Sequence, residues 1–178
     1  ADLNGWTEKT GNGETGSGNS HQNAVGSYIE WTGGQNLGNT TVGELEYKIQ
    51  FTETGTYTFS WRNNTGFPGG DTNNTRVGAD HNDSWLIVEP PTPNLDGFRM
   101  YGSKAGGSSI VYPNGANYVG VPDATTSLNG SSGQGHFKIY RGGTDGFKWQ
   151  ASTSDNDGHG IKLDVPVPGI YTVKINAR

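Results

Sequence analysis

The side chains best suited to chemistry are concentrated in one polar cluster, Arg76-Val-Gly-Ala-Asp80-His-Asn-Asp83-Ser-Trp85. Its members His81, Asn82 and Asp83 offer the hydrogen-bond donors and acceptors that pair with sugar hydroxyls. Arg62, at the end of an earlier strand-like segment, could add two parallel hydrogen bonds to a sulfate or a carboxylate. The cluster is equally consistent with a turn in which Asp and Asn side chains bond their own backbone.

Aromatic side chains provide a second set of candidates. The polar segment from Gly102 to Gly135 contains Tyr112 and Tyr118, and connections longer than about 15 residues without regular structure are usually functional or disordered. An aromatic ring can stack on the weakly apolar C–H face of a pyranose, while planar polar side chains reach the sugar hydroxyls. Trp149 shares a face with apolar neighbours, which indicates burial, but its position near a loop end keeps a sugar platform open.

An acidic turn, Ser154-Asp155-Asn-Asp157-Gly158-His159, is the candidate metal site. Asp155 and Asp157 could hold calcium, because hard cations prefer carboxylate and carbonyl oxygens. The rest of an EF-hand loop is absent from the sequence, so a simple turn remains the alternative.

Motifs that are specific to catalysis are absent from the sequence. It contains no Gly-x-Ser-x-Gly, no His-Glu-x-x-His and no phosphate-binding loop. Glu44 and Glu46 lie two residues apart on the polar side of a predicted strand, a pattern typical of plain surface. The residues that would suit a polysaccharide lyase are the tyrosines together with His81, His136, His159 and Arg62. We therefore expect a non-catalytic chain and keep a small lyase as the alternative.

Charge and composition exclude several classes of partner. The 178-residue chain has a formal net charge of −5, so it presents no global basic field to nucleic acid or anionic membranes. It has no cysteine, and no apolar run approaches the roughly 20 residues of a membrane span. An aromatic content of 11% indicates an ordered core despite a hydrophobic content of only 30%. We expect a monomer with neither a nucleic-acid nor a membrane partner.

Apolar residues at every second position predict an all-β fold, a two-sheet antiparallel β-sandwich of the jelly-roll type. Residues 44–51 and 56–62 show this alternation and are predicted to pair as a hairpin. Further strands are predicted at Tyr28–Trp31, Ser84–Val88, Phe98–Tyr101, His136–Tyr140, Phe147–Ala151, Ile161–Val165 and Ile170–Ala177. Residues 1–24 lack sustained periodicity and are expected to be a linker or entry segment, and residues 25–178 are expected to form the domain.

Five segments carry a family resemblance: Tyr28-Ile-Glu-Trp-Thr-Gly33, Val42-Gly-Glu-Leu-Glu-Tyr-Lys48, Gly55-Thr-Tyr-Thr-Phe-Ser-Trp-Arg62, Asp80-His-Asn-Asp-Ser-Trp85 and Pro168-Gly-Ile-Tyr-Thr-Val173. Together they resemble the galactose-binding-like jelly rolls of the family-six carbohydrate-binding type, which bacterial polysaccharide-degrading enzymes carry as non-catalytic modules. Arg62, His81, Asn82 and Asp83 match the shared segments, whereas the long loop after Tyr101 does not. Members bind sugars at the loop rim or on a concave sheet face, so the resemblance does not transfer one whole site.

The resemblance implies a secreted module, attached to a catalytic domain of the same polypeptide and carrying a structural calcium ion in many members. The expected ligand is a structural polysaccharide, with the marine algal galactans agarose, porphyran and carrageenan preferred, because the resemblance is to modules of marine bacterial enzymes and because Arg62 and Arg76 stand beside neutral polar residues. The predicted sugar contacts are Arg62, Arg76, His81, Asn82, Asp83, Tyr112, Tyr118 and Trp149. Besides the lyase, a cell-surface adhesion module that contacts protein is kept as an alternative.

Overall fold

The computed structural model describes residues 3–12, 25–31, 33–34, 36, 38–63, 83–119, 132–140, 147–154 and 157–178. These residues form thirteen β-strands and one 3-10 turn at Ala105–Gly107. The strands are β1 (Trp6–Asn12), β2 (Val25–Trp31), β3 (Leu45–Phe51), β4 (Gly55–Thr58), β5 (Trp61–Asn63), β6 (Asp83–Glu89), β7 (Arg99–Ser103), β8 (Ile110–Val111), β9 (Ser132–Gly133), β10 (His136–Tyr140), β11 (Lys148–Gln150), β12 (Gly160–Val165) and β13 (Gly169–Ala177). Within the described ranges, no helix has the length and apolar character that crossing a membrane requires.

The strands form an antiparallel β-sandwich, as the alternation predicted. The larger sheet has the order β3-β13-β6-β10-β9 and the smaller sheet has the order β4-β12-β7-β8. The chain passes from one sheet to the other between β3 and β4, between β6 and β7, and between β12 and β13. β3 and β13 are neighbours in the larger sheet. This is the strand arrangement of a jelly roll. All seven of the separately predicted strands are present.

The core lies between the two sheets and is built from alternate residues of the strands. In β12, for example, Ile161, Leu163 and Val165 are buried while Lys162 and Asp164 face outward. The core cluster comprises Leu86, Val88, Phe98, Met100, Val111, Phe137, Ile139, Ile161, Leu163, Val165, Tyr171, Val173 and Ile175. Burial therefore identifies the inward face of each strand. The opposite face points away from the core and is the face that a ligand could reach.

The predicted hairpin between residues 44–51 and 56–62 is wrong. β3 pairs with β13 in the larger sheet, whereas β4 pairs with β12 in the smaller sheet, so the short connection between them crosses the sandwich. The rings of Phe51 and Tyr57 still meet across this connection, with their centroids 4.6 Å apart. Alternation reports which face of a strand is apolar but not which strand lies beside it, so a hairpin and a crossing connection produce the same pattern.

Part of the predicted entry segment belongs to the folded structure. Strand β1, within residues 1–24, pairs along its whole length with β2. Its Trp6 ring lies 5.5 Å from the ring of Trp31, and the Trp6 indole N–H donates to the carbonyl of Gly43 at 2.6 Å. A domain boundary at residue 25 would separate two paired strands, so β1 is better described as part of the domain.

The outer face of the larger sheet is covered around Asp83 and contains a buried ionic group there. The carboxylate of Asp83 lies 3.4 Å from Lys138 Nζ and is also paired with Arg178, and the three side chains are 3%, 6% and 11% exposed. The indole N–H of Trp85, on the same face, donates to the carbonyl of Asn36 at 3.2 Å, and Trp85 is 3% exposed. This face therefore serves packing, and it is unavailable for a ligand around Asp83.

His136, on β10, makes the stability of this face depend on pH. Burial lowers the pKa of His136 because desolvation penalises the imidazolium, and this outweighs the hydrogen bond to the Gln134 carbonyl and the charges of Glu44 and Glu89; Lys174 lowers the pKa further. The unfolded chain therefore binds the proton more readily, and stability decreases as pH falls below the unfolded value of about 6.5.

We expect the variant His136→Gln to lose this pH dependence. Denaturant unfolding at pH values between 8 and 5 should show a constant difference in unfolding free energy between the variant and the wild type well above about pH 6.5, the ordinary pKa of histidine. Below that pH the unfolding free energy of the wild type should fall relative to that of the variant, because Gln binds no proton. Parallel pH profiles of the two proteins across this range would contradict the prediction.

Candidate functional site

The segment that runs from β4 of the smaller sheet into β5, which pairs with β11, defines an open surface. Tyr57, Phe59 and Trp61 pack against the core, so the side chains between them point outward. The outward set is Thr56, Thr58, Ser60 and Arg62, and all four are exposed. The alternation that places three aromatic rings inside thus places a row of hydroxyls ending in a guanidinium outside.

Trp149 lies directly beside Arg62 on this surface. Strand β11 pairs antiparallel with β5 in the register Trp149 opposite Arg62, and opposite residues of such a pair project to the same side of the sheet, with Cβ atoms about 4.5–5.5 Å apart. Trp149 is 71% exposed, the largest fraction among the exposed large hydrophobic side chains of the described residues. The burial that its apolar neighbours suggested does not occur, because β11 carries Trp149 on the outer face.

The guanidinium of Arg62 is positioned by an aromatic ring. Its Cζ lies 5.4 Å from the centroid of the Phe147 ring, and that ring in turn lies 5.2 Å from the ring of Tyr28. A guanidinium over a ring face keeps its N–H donors in its own plane, where carboxylate and sulfate oxygens approach edge-on. Burial, with a smaller contribution from Glu30, raises the pKa of Tyr28. Tyr28 therefore acts here as a neutral hydroxyl and supports the ring beneath Arg62.

The same outer face continues across β12 and β7 as a hydrogen-bonded network around Asp164. Its carboxylate accepts from Thr56 Oγ1 at 2.6 Å, from Arg99 Nε at 2.5 Å and from the Tyr101 hydroxyl at 3.3 Å. The hydrogen bond to Asp164 raises the pKa of Arg99, and burial, followed by the charge of Asp164, raises that of Tyr101. The network holds two planar side chains, Arg99 and Tyr101, in fixed positions on the surface, with Arg99 Cζ 5.3 Å from the Tyr101 ring centroid.

The row next to this network contains Lys162. Lys162 lies opposite Thr58 on one side and opposite Tyr101 on the other, and its Nζ donates to Thr58 Oγ1 at 2.6 Å. Arg62 and Trp149 belong to the two-stranded sheet β11-β5, which continues the chain directly from β4 of the smaller sheet. We call the combined surface the outer face of the smaller sheet; it consists of Thr56, Thr58, Arg62, Arg99, Tyr101, Trp149, Lys162 and Asp164. It presents an exposed indole ring, hydroxyls and cations, which suits the recognition of a hydroxylated chain.

The predicted tyrosines of the long loop are only partly available. Tyr112 follows β8 and is half-buried, with its ring 6.2 Å from that of Tyr101, so it lies beside the outer face of the smaller sheet. Tyr118 packs on the core against Phe98, and burial raises its pKa. Tyr118 therefore contributes to packing, and its use as a sugar platform is not supported by its position.

A cleft at one end of the sandwich is a second candidate surface. It has a volume of about 270 Å³ and lies between the end of β6, the loop at Asn94 and the turn at Gln134, with Tyr118 in its wall. Residues 115–119 of the predicted binding loop form one side. Its lining has amide groups but no described cation, and it lacks an exposed tryptophan, so it offers fewer contacts for a sugar chain than the outer face of the smaller sheet.

The remaining predicted sugar contacts are either buried or outside the described part of the chain. Asp83 is wrong as a sugar contact, because its carboxylate is buried and paired with Lys138 and Arg178. The reason is that β6 begins at Asp83, so this residue belongs to the sheet and not to the preceding loop. The predicted contacts Arg76, His81 and Asn82 lie outside the described residues, as does the predicted calcium ligand Asp155.

The other predicted calcium ligand, Asp157, forms an ion pair with Lys104, and this contact lowers the pKa of its carboxyl. Its backbone carbonyl accepts from His159 Nδ1 at 2.5 Å, and His159 Nε2 contacts Ser109 Oγ at 3.0 Å. Among the described residues, no group of three or more His, Cys, Asp or Glu side chains is arranged to hold a metal ion. Calcium binding at this turn stays a prediction, and the described contacts account for Asp157 as part of a structural turn.

Sequence reasoning missed Arg99, Tyr101, Lys162 and Asp164. Each occupies the polar position of an alternating strand, so a signal for outward orientation was present. Nothing local indicates that β7 and β12 are neighbours, which is what brings Arg99 and Tyr101 to Asp164.

No protein-family model, curated protein or solved structure matches this chain. The functional argument therefore rests on the residues of this chain and on their arrangement on the outer face of the smaller sheet.

Proposed function

We propose that the chain is a non-catalytic carbohydrate-binding module that attaches a secreted polysaccharide-degrading enzyme to its substrate, and that it binds through the outer face of the smaller sheet. The observation that carries the proposal is the pairing of Trp149, 71% exposed, with Arg62 on a surface otherwise made of hydroxyl and charged side chains. An exposed indole with a guanidinium and hydroxyls around it offers a stacking surface together with hydrogen-bonding groups, the combination that a sugar ring uses.

The chemistry of this surface fits a sugar. The axial C–H face of a pyranose stacks on an indole ring, and its hydroxyls both donate and accept hydrogen bonds. Thr56, Thr58 and Tyr101 supply hydroxyls, and Arg62 supplies planar donors beside the ring. Open-sided binding of this kind leaves a long polymer free to extend beyond the site at both ends, as attachment to an insoluble polysaccharide requires.

Weak binding is sufficient for the proposed role. Tethering a module to a catalytic domain raises the effective concentration of the enzyme at the polymer surface, and repeated sites on the polymer add avidity. The preferred ligands are algal galactans, namely agarose, porphyran and carrageenan. Recognition then needs no group that breaks a bond, and none is assigned to the outer face of the smaller sheet.

Affinity electrophoresis in gels that contain agarose, porphyran or carrageenan tests the proposal. We expect the mobility of the purified chain to decrease in at least one of these gels, compared with a gel without glycan and with a reference protein of similar size. Unchanged mobility in every gel would overturn the proposal. Ultraviolet absorbance of a parallel incubation should stay constant, because only a lyase produces unsaturated sugar ends.

A further inference from the structure

We infer that the outer face of the smaller sheet selects anionic polysaccharide, so that a sulfated or carboxylated chain binds and a neutral one binds weakly. This inference rests on the proposed carbohydrate-binding function and adds the chemical class of the ligand. The carrying observation is the distribution of charge on this face, which is opposite to that of the whole chain.

The charge on the face is positive. Among the side chains that the structure describes on β4, β5, β7, β11 and β12, three outward-facing cations, Arg62, Arg99 and Lys162, stand against one carboxylate, Asp164. The formal charge of this face is therefore +2, while that of the whole chain is −5. A local cationic surface attracts an anionic ligand even when the net charge of the whole chain is negative.

Lys162 differs from the other lysines in its partner. The structure describes the side chains of six lysines, and five of them form ion pairs with carboxylates within 4.0 Å: Lys9, Lys48, Lys104, Lys138 and Lys174. Lys162 instead donates to the neutral hydroxyl of Thr58. Its charge is thus not matched by a described carboxylate, and an anionic ligand group would supply the missing partner.

The spacing of the cations fits a repeating polymer better than a single small anion. Lys162 is opposite Thr58, and Arg62 lies four residues after Thr58 in the chain. At about 3.3 Å per residue, the backbone positions that carry the two cations are about 13 Å apart if this segment is extended. Anionic groups repeated along an extended polymer can contact both cations, with Trp149 beside Arg62 as the stacking surface.

The inference is tested with matched glycans and matched variants. Binding of the intact chain to agarose (neutral), to carrageenan (sulfated) and to pectate (carboxylated) is measured by affinity electrophoresis at low and at raised salt. The variants are Arg62→Gln and Lys162→Gln on the face, with Lys48→Gln as the control on the other sheet, where Lys48 bonds Thr172 and Glu46. Thermal unfolding confirms that each variant is folded.

We expect Arg62→Gln and Lys162→Gln each to weaken binding to an anionic glycan roughly tenfold, to reduce its salt dependence and to leave binding to agarose nearly unchanged. Lys48→Gln should bind like the wild type. Retardation by carrageenan only, or by pectate only, would identify sulfate or carboxylate as the source of the charge. Equal binding to agarose and to both anionic glycans, unaffected by either face variant, would overturn the inference and leave the carbohydrate-binding proposal standing, whereas absence of binding to every glycan would overturn both.

Discussion

Replacing Trp149 with alanine is expected to weaken binding of the chain to its polysaccharide about 30-fold, which corresponds to about 2 kcal/mol, the loss typical of a central tryptophan at a binding surface. The physical reason is that the indole is the one large apolar ring that β11 holds on the outer face of the smaller sheet, 71% exposed and beside Arg62. Isothermal titration or affinity electrophoresis with the glycan that retards the wild type measures the change.

Two matched variants make this result interpretable. Trp149→Phe keeps a stacking ring and should retain much of the affinity, whereas Ile170→Ala removes a 54% exposed apolar side chain from the other sheet and should have no effect on binding. Because Trp149 is mostly exposed, Trp149→Ala should change stability by no more than about 0.5 kcal/mol, as for other surface substitutions. Full affinity in a folded Trp149→Ala protein would remove the main support for the proposed site.

Replacing Asp83 with asparagine is expected to destabilise the fold by about 3–5 kcal/mol. The carboxylate, 3% exposed, is the shared partner of Lys138 and Arg178, which are themselves 6% and 11% exposed. Without it, two buried cations lose their common counter-charge, and the cost of their desolvation is less well compensated. For a chain of this size, such a loss corresponds to a decrease in Tm of roughly 6–20 °C, measurable by calorimetry.

The control for this prediction is Glu46→Gln, which makes the same carboxylate-to-amide change on the same sheet. Glu46 and Lys48 form an exposed ion pair, with Nζ and Oε1 2.7 Å apart and side chains 44% and 59% exposed. Solvent screens such a pair, so its loss should leave Tm almost unchanged. If Asp83→Asn also left Tm unchanged, or if it abolished glycan binding while the fold remained stable, Asp83 would have to be returned to the list of sugar contacts.

Much of the candidate site could be predicted from local sequence, and the limits of that prediction are physical. Arg62 and Trp149 were both candidates, and the outward position of Arg62 follows from the three inward aromatics that precede it, Tyr57, Phe59 and Trp61. Trp149 remained ambiguous because the pattern around it fits either face of a strand. Asp83 was assigned to a loop because Asx-rich segments favour turns, and only the pairing of β6 with β10 and β13 shows that it begins a strand.

The amino-acid sequence by itself determined the β class of the fold, the positions of most strands and the face of each strand that is apolar, because alternation with period two is a local property of the chain. The tertiary structure decided which strands are neighbours, and hence that β3 and β4 lie in different sheets, that β1 pairs with β2, and that Trp149 lies opposite Arg62. It also decided that Arg99 and Tyr101 both hydrogen-bond to Asp164 on the same surface. Pairing and register depend on contacts between residues far apart in the chain, and the energies of those contacts cannot be derived from any short segment.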